Sequence, residues 1–109
     1  MDIVYLFGFS TRTGTHLQRL LPIVKKQKER GSKIGFVLIH DGVIGTTASS
    51  LIPKTLEELL NLGISVSAMV PDMKARGLSV DNLRSNIKPI EYSELVDILD
   101  ETEKVMSWM

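Results

Sequence analysis

Hydrophobic and polar positions fall into short alternating blocks along this chain. Residues 2–7 (Asp-Ile-Val-Tyr-Leu-Phe) and 34–39 (Ile-Gly-Phe-Val-Leu-Ile) are nearly unbroken apolar runs, closed by Gly8 and by His40-Asp41-Gly42. Runs of this length without alternation fit strands buried on both faces, as in a parallel sheet. Between them Leu17, Leu20, Leu21 and Val24 recur at helical spacing, and Gly31 follows as a stop. Pro22 falls inside that pattern, where its ring and missing N–H predict a kink or a restart. A second helix carries Leu56, Leu59 and Leu60 on its apolar face and ends at Gly63, with Thr55 and Glu58 at capping-box spacing. Residues 64–70 alternate Ile64, Val66, Ala68 and Val70 against Ser65, Ser67 and Met69, a strand with one more apolar face. Pro71-Asp72 opens a short helical turn that stops at Gly77. Residues 87–91 make a weak strand, placed at a sheet edge by Pro89, which has no N–H for a ladder. Ser93 is positioned to cap a last helix with Leu95, Ile98 and Leu99 on its buried side. The end, Val105-Met106-Ser107-Trp108-Met109, suits a short fifth strand. Strands and helices alternate throughout, which predicts an α/β sandwich with a mostly parallel sheet.

Composition narrows the function classes. The 109 residues suit one domain, 1–109, with a modest core that makes partner surfaces a reasonable expectation. Lysine plus arginine and aspartate plus glutamate each total 13, so net charge gives no reason to expect direct nucleic-acid or membrane binding. No apolar run approaches the roughly 20 residues of a membrane span. The start, Met1-Asp2-Ile3-Val4, reads as a strand rather than an export signal, making the cytoplasm the expected compartment. There is no cysteine, so disulfides, thiolate metal sites and persulfide chemistry on this chain are excluded.

Two loops hold candidate chemistry, because ligands collect beyond the carboxyl ends of parallel strands. The loop from Gly8 to His16 offers the hydroxyls of Ser10, Thr11, Thr13 and Thr15, the guanidinium of Arg12 and backbone amides around Gly14 near a helix start. That set suits an anion. It also reads as a polar turn capping a helix. The glycine spacing is not that of a Walker loop. Thr11, Thr13 and Gly14 resemble the phosphate loop of flavodoxins, but His16 replaces its last threonine and no aromatic pair is evident to sandwich a flavin. No bound flavin or other cofactor is expected. The second loop, His40-Asp41-Gly42-Val43, could supply an acid/base pair or simple turn chemistry. Neighbours on an extended chain point apart, so contact between His40 and Asp41 is not implied. No partner serine or metal-ligand cluster is visible, and no catalytic activity is expected. The terminal Met106, Trp108 and Met109 either close the core or form an interface.

Three ordered stretches together resemble the TusB/DsrH family of sulfur-relay subunits. They are His40-Asp41-Gly42-Val43, the segment Asp72-Met73-Lys74-Ala75-Arg76-Gly77-Leu78, and the end from Ile90-Glu91-Tyr92 to Ser107-Trp108-Met109. The resemblance covers roughly the last two thirds of the chain; the first third matches only as strand, loop and helix. It implies a DsrE/F/H-like three-layer α/β/α sandwich around a five-stranded, mostly parallel sheet. It implies partners of the DsrE/TusD and DsrF/TusC types; when the chain is alone, its apolar tail is expected to pair with a second copy in a homo-oligomer, the common outcome for such a patch. It also implies a place in persulfide transfer, toward tRNA wobble-uridine 2-thiolation or sulfur oxidation. Sulfur-carrying relatives place a cysteine just before the helical turn that ends in Arg-Gly. Here that stretch is Ser67-Ala68-Met69-Val70-Pro71, which points to a non-carrier role. A free-standing anion or small-molecule binder using the 8–16 loop is the alternative.

Overall fold

The computed structural model describes residues 1–12, 15–49 and 51–109. Five strands, β1 (Ile3–Phe7), β2 (Ile34–Leu38), β3 (Ser65–Met69), β4 (Lys88–Ile90) and β5 (Lys104–Trp108), form one sheet in the order β4-β3-β2-β1-β5. All four pairings are parallel. Parallel neighbours need crossovers, and four helices supply them: α1 (His16–Glu29), α2 (Lys54–Leu60), α3 (Val70–Ala75) and α4 (Tyr92–Asp100).

The two apolar runs are β2, the central strand, and its neighbour β1, both paired on two sides, which explains their unbroken hydrophobicity. On one face Tyr5, Phe7, Phe36 and Leu38 meet Leu17, Leu20, Leu21 and Val24 of α1 and Leu56 and Leu59 of α2. The Phe36 ring lies 5.7 Å from Tyr5 and 5.5 Å from Phe7. On the other face Val4, Val37, Ile39, Met69 and Ile90 are covered by Leu95, Ile98 and Leu99 of α4. A helix layer on each face gives the predicted sandwich. Because β3 is sandwiched too, Ser67 and Met69 are as buried as Val66 and Ala68, and the alternation in 64–70 does not mark a half-exposed strand.

Several local expectations change. α2 starts at Lys54 after Pro53, with no side-chain cap; Thr55 falls inside the first turn and donates weakly, at 3.5 Å, to the Thr11 carbonyl. The predicted Thr55/Glu58 capping box therefore does not form. Pro53, with φ −59°, already sets the chain direction there. α4 is capped by Glu91 in a box with Glu94, not by Ser93, which lies two residues past the cap position. Pro22 sits exposed within α1, and the helix runs through it from His16 to Glu29.

The two sheet edges differ. β4 is three residues long and contains Pro89. β5 is five residues long, and Val105 and Met106 remain 41% and 39% exposed. Trp108 at its end packs against the α1-side core, so the tail closes one flank of the sheet while Met109 stays exposed.

Tyr5 supplies a pH test. Its phenol donates to Gln27 Oε1 at 2.7 Å, and burial raises its pKa above the ordinary 10.0. A raised folded-state value means that the protonated form is favoured in the fold. Its contribution is full below the unfolded value and is lost as pH climbs past it toward the folded one. Tyr5→Phe should therefore flatten part of the alkaline loss of stability above pH 10 seen in the parent. At neutral pH it should cost about 1 kcal/mol for the lost hydrogen bond. Urea titrations of both proteins across that range check this; parallel curves would remove Tyr5 as the cause.

Candidate functional site at the carboxyl end of the sheet

β2 ends in a tight 3-10 turn, His40–Val43, and β3 runs directly into α3. These two junctions lie side by side. His40 has φ +49°, the one positive value among described non-glycine residues. Such a backbone persists only where its surroundings hold it. Here the holder is Asp72: its Oδ2 accepts the His40 N–H at 3.0 Å, and its Oδ1 lies 4.0 Å from His40 Nδ1. Arg76, one helical turn beyond Asp72, donates through Nε to Asp41 Oδ1 at 3.0 Å and through Nη1 to the Asp72 carbonyl at 3.2 Å. Its Nη1 is also 4.0 Å from Asp72 Oδ1.

Histidine and aspartate in His40-Asp41 thus do not pair with each other. Each takes a partner from α3 and its cap. The turn can lie this close because Gly42 has no side chain: a Cβ there would collide with the Phe7 carbonyl oxygen. Tyr92, at the start of α4, completes the group. It lines a cavity of about 180 Å³ with Ile39, His40, Met69, Asp72 and Leu95. The three stretches His40–Val43, Asp72–Leu78 and Ile90–Tyr92, distant in sequence, therefore meet at one place.

A second concavity, about 290 Å³, lies where β1 and β5 end, between Phe9, His16, Ser107, Trp108 and Met109. The His16 ring stacks on Phe9 with centroids 3.6 Å apart.

The DsrH-like protein family model matches residues 10–105. The chain belongs to that family. Protein TusB of Serratia proteamaculans (strain 568) is 36% identical to it over 72 residues, 66% of this chain and 72% of that protein. Among solved structures, the ychN protein from E. coli superposes with a TM-score of 0.80 at 17% identity, over 99% of both chains. A protein of unknown function from Methanobacterium thermoautotrophicum, MTH1491, does so with a TM-score of 0.72 at 17% identity, over 94% of this chain and 97% of the other. These two likenesses agree with the five-stranded DsrE/F/H-like fold.

Among the anion candidates, Ser10 Oγ accepts the Arg12 amide at 3.2 Å in a local turn. Thr11 is buried and its hydroxyl donates to the Ile44 carbonyl at 3.0 Å, tying the loop to the chain after the 3-10 turn. Thr15 precedes α1 without making a side-chain cap. Thr13 and Gly14 lie outside the described residues. Asp72, Arg76, Met69 and Tyr92 were not singled out as site residues by sequence reasoning. The i, i+4 spacing of Asp72 and Arg76 was the available signal, since it puts both on one helix face. Among the described residues, no three His, Asp or Glu side chains gather as a metal site, and no helix is long and apolar enough to cross a membrane.

The two acidic residues of this site should differ in weight. Asp72→Ala removes the carboxylate that accepts the His40 N–H and holds the positive-φ turn, a charge-assisted hydrogen bond from a mostly buried side chain worth about 1.5 kcal/mol. Asp41→Ala removes only a half of an exposed ion pair, worth under about 1 kcal/mol. Denaturant midpoints of the two variants check the order, and equal losses would mean that Asp72 does not hold the turn.

Proposed function

We propose that this chain is a non-carrier subunit of a sulfur-relay complex of the TusBCD/DsrEFH type. Its partners are DsrE/TusD-like and DsrF/TusC-like chains, and the complex works in the cytoplasm. The carrying observation is what stands at the β3–α3 junction. Relatives that carry sulfur place a cysteine just ahead of this helical turn; here the junction is Met69-Val70, buried to 1% and 7% exposure, in a chain without any cysteine. A persulfide needs a thiolate, and a thioether cannot form one. The rest of the junction is kept intact by Asp72, Arg76 and His40. An ordered site without its nucleophile suits a subunit that shapes or supports the complex. The supported reaction is persulfide transfer toward tRNA wobble-uridine 2-thiolation or toward sulfur oxidation.

The test uses the protein with its DsrE- and DsrF-like genomic neighbours. Sedimentation of the mixture at tens of micromolar should give one heavier species. After incubation with a cysteine desulfurase and cysteine, intact mass should show added sulfur on a partner and none on this chain. A clean monomer in the mixture, or a stable sulfur adduct on this chain, sinks the reading.

A further inference from the structure

We propose that the cavity between His40, Asp72 and Tyr92 is a binding site for one phenolic ring, a small phenol of about the size of p-cresol. Its volume, about 180 Å³, is on the scale of a single ring; a cavity of roughly 150 Å³ accommodates benzene. Its walls are apolar: Ile39 and Met69 are 8% and 1% exposed, and Leu95 joins them from α4. Met69 favours an aromatic guest, because a thioether gains from contact with a ring edge.

The rim sets the polar end of the guest. Asp72 uses Oδ2 to accept the His40 N–H. Its Oδ1 is 4.0 Å from both His40 Nδ1 and Arg76 Nη1, beyond hydrogen-bond reach of either. The Asp72 side chain is only 15% exposed and borders the cavity, so this oxygen keeps acceptor capacity toward a guest. A carboxylate guest would meet Asp72 and, beyond it, Asp41. An ammonium guest would meet the Arg76 guanidinium, which already flanks the same oxygen. A neutral donor on an apolar ring satisfies all of these groups together, and among groups of this size that is a phenol. The socket does not depend on the relay assignment, since it rests on cavity size, wall chemistry and one carboxylate oxygen.

The experiment is a titration of the wild-type protein with p-cresol, followed by NMR. Shifts should concentrate on the Met69 and Leu95 methyls and the His40 ring, with a Kd on the order of millimolar for so small a ligand. Toluene should bind roughly five-fold more weakly, the worth of one hydrogen bond to a partly shielded carboxylate. Neither 4-methylbenzoate nor 4-methylbenzylamine should move these signals. Leu95→Phe, shown to be folded by its circular dichroism, should fill the cavity and abolish the p-cresol shifts. Equal binding of toluene and p-cresol overturns the role given to Asp72. Shifts centred on Phe9, His16 and Trp108, or none at the cavity at about 5 mM ligand, overturn the socket.

Discussion

Gly42→Ala should lower stability by about 2–3 kcal/mol, an unusually large loss for adding one methyl group. Gly42 is buried in the 3-10 turn, and the new Cβ would press on the Phe7 carbonyl oxygen. That oxygen belongs to β1, which is paired on both sides, and it already accepts the Ile39 N–H at 2.9 Å. Nothing around it can swing aside. Gly8 is the contrasting case. A Cβ there would come within 2.7 Å of Met109 Cβ, but Met109 lies past the last residue of β5 and is 61% exposed. Gly8→Ala should cost under about 1 kcal/mol, because the obstacle can move. The damage at Gly42 also reaches the site, since the turn carries His40 to Asp72 and Asp41 to Arg76. Urea denaturation should show an earlier midpoint at unchanged slope for Gly42→Ala. A loss equal to that of Gly8→Ala would show that the turn is not wedged against β1.

Removing residues 104–109 should prevent stable folding. β5 contributes a complete parallel pairing to β1, from Ile3↔Lys104 to Phe7↔Trp108, and the Trp108 carbonyl accepts the Gly8 N–H at 3.0 Å. Its loss would turn a central strand into an edge and uncover the flank of the core against which Trp108 packs. At roughly 1 kcal/mol per lost hydrogen bond and about 2 kcal/mol for the indole, the total rivals the whole stability of a domain this size. Circular dichroism of the truncated chain should show loss of cooperative unfolding. A folded, cooperative product would mean that the tail is an appended arm. Trp108→Ala alone should cost about 2 kcal/mol and leave the fold intact.

Much of this arrangement was legible from apolar spacing. The unbroken runs ending at Phe7 and at Ile39 announced doubly buried strands, and Pro89 announced an edge, because both signals are local consequences of sheet geometry. The caps were not legible in the same way. Thr55 and Ser93 have the right chemistry, yet Pro53 and Glu91 stand earlier and take the positions. Several polar residues near one helix start compete, and only the backbone path decides between them. The site was half legible. His40 and Asp41 could be named, while their partners Asp72 and Arg76 lie over thirty residues away and are joined to them only by the adjacency of β2 and β3. Tyr92 was readable only as part of a resemblance, because its place beside Met69 depends on α4 recrossing the sheet.

The unlike margins of the sheet bear on how many chains can ever join through them. Endless growth of a shared sheet needs two receptive sides, one to offer and one to accept. β4 is short, and Pro89 has no N–H to give a newcomer. β5 is longer and free of proline, and its exposed residues include the apolar pair Val105 and Met106. A neighbour can therefore be taken up on one flank only, and each addition stops after the first. Val105 and Met106 at this border therefore do not by themselves carry the hazard of fibre formation.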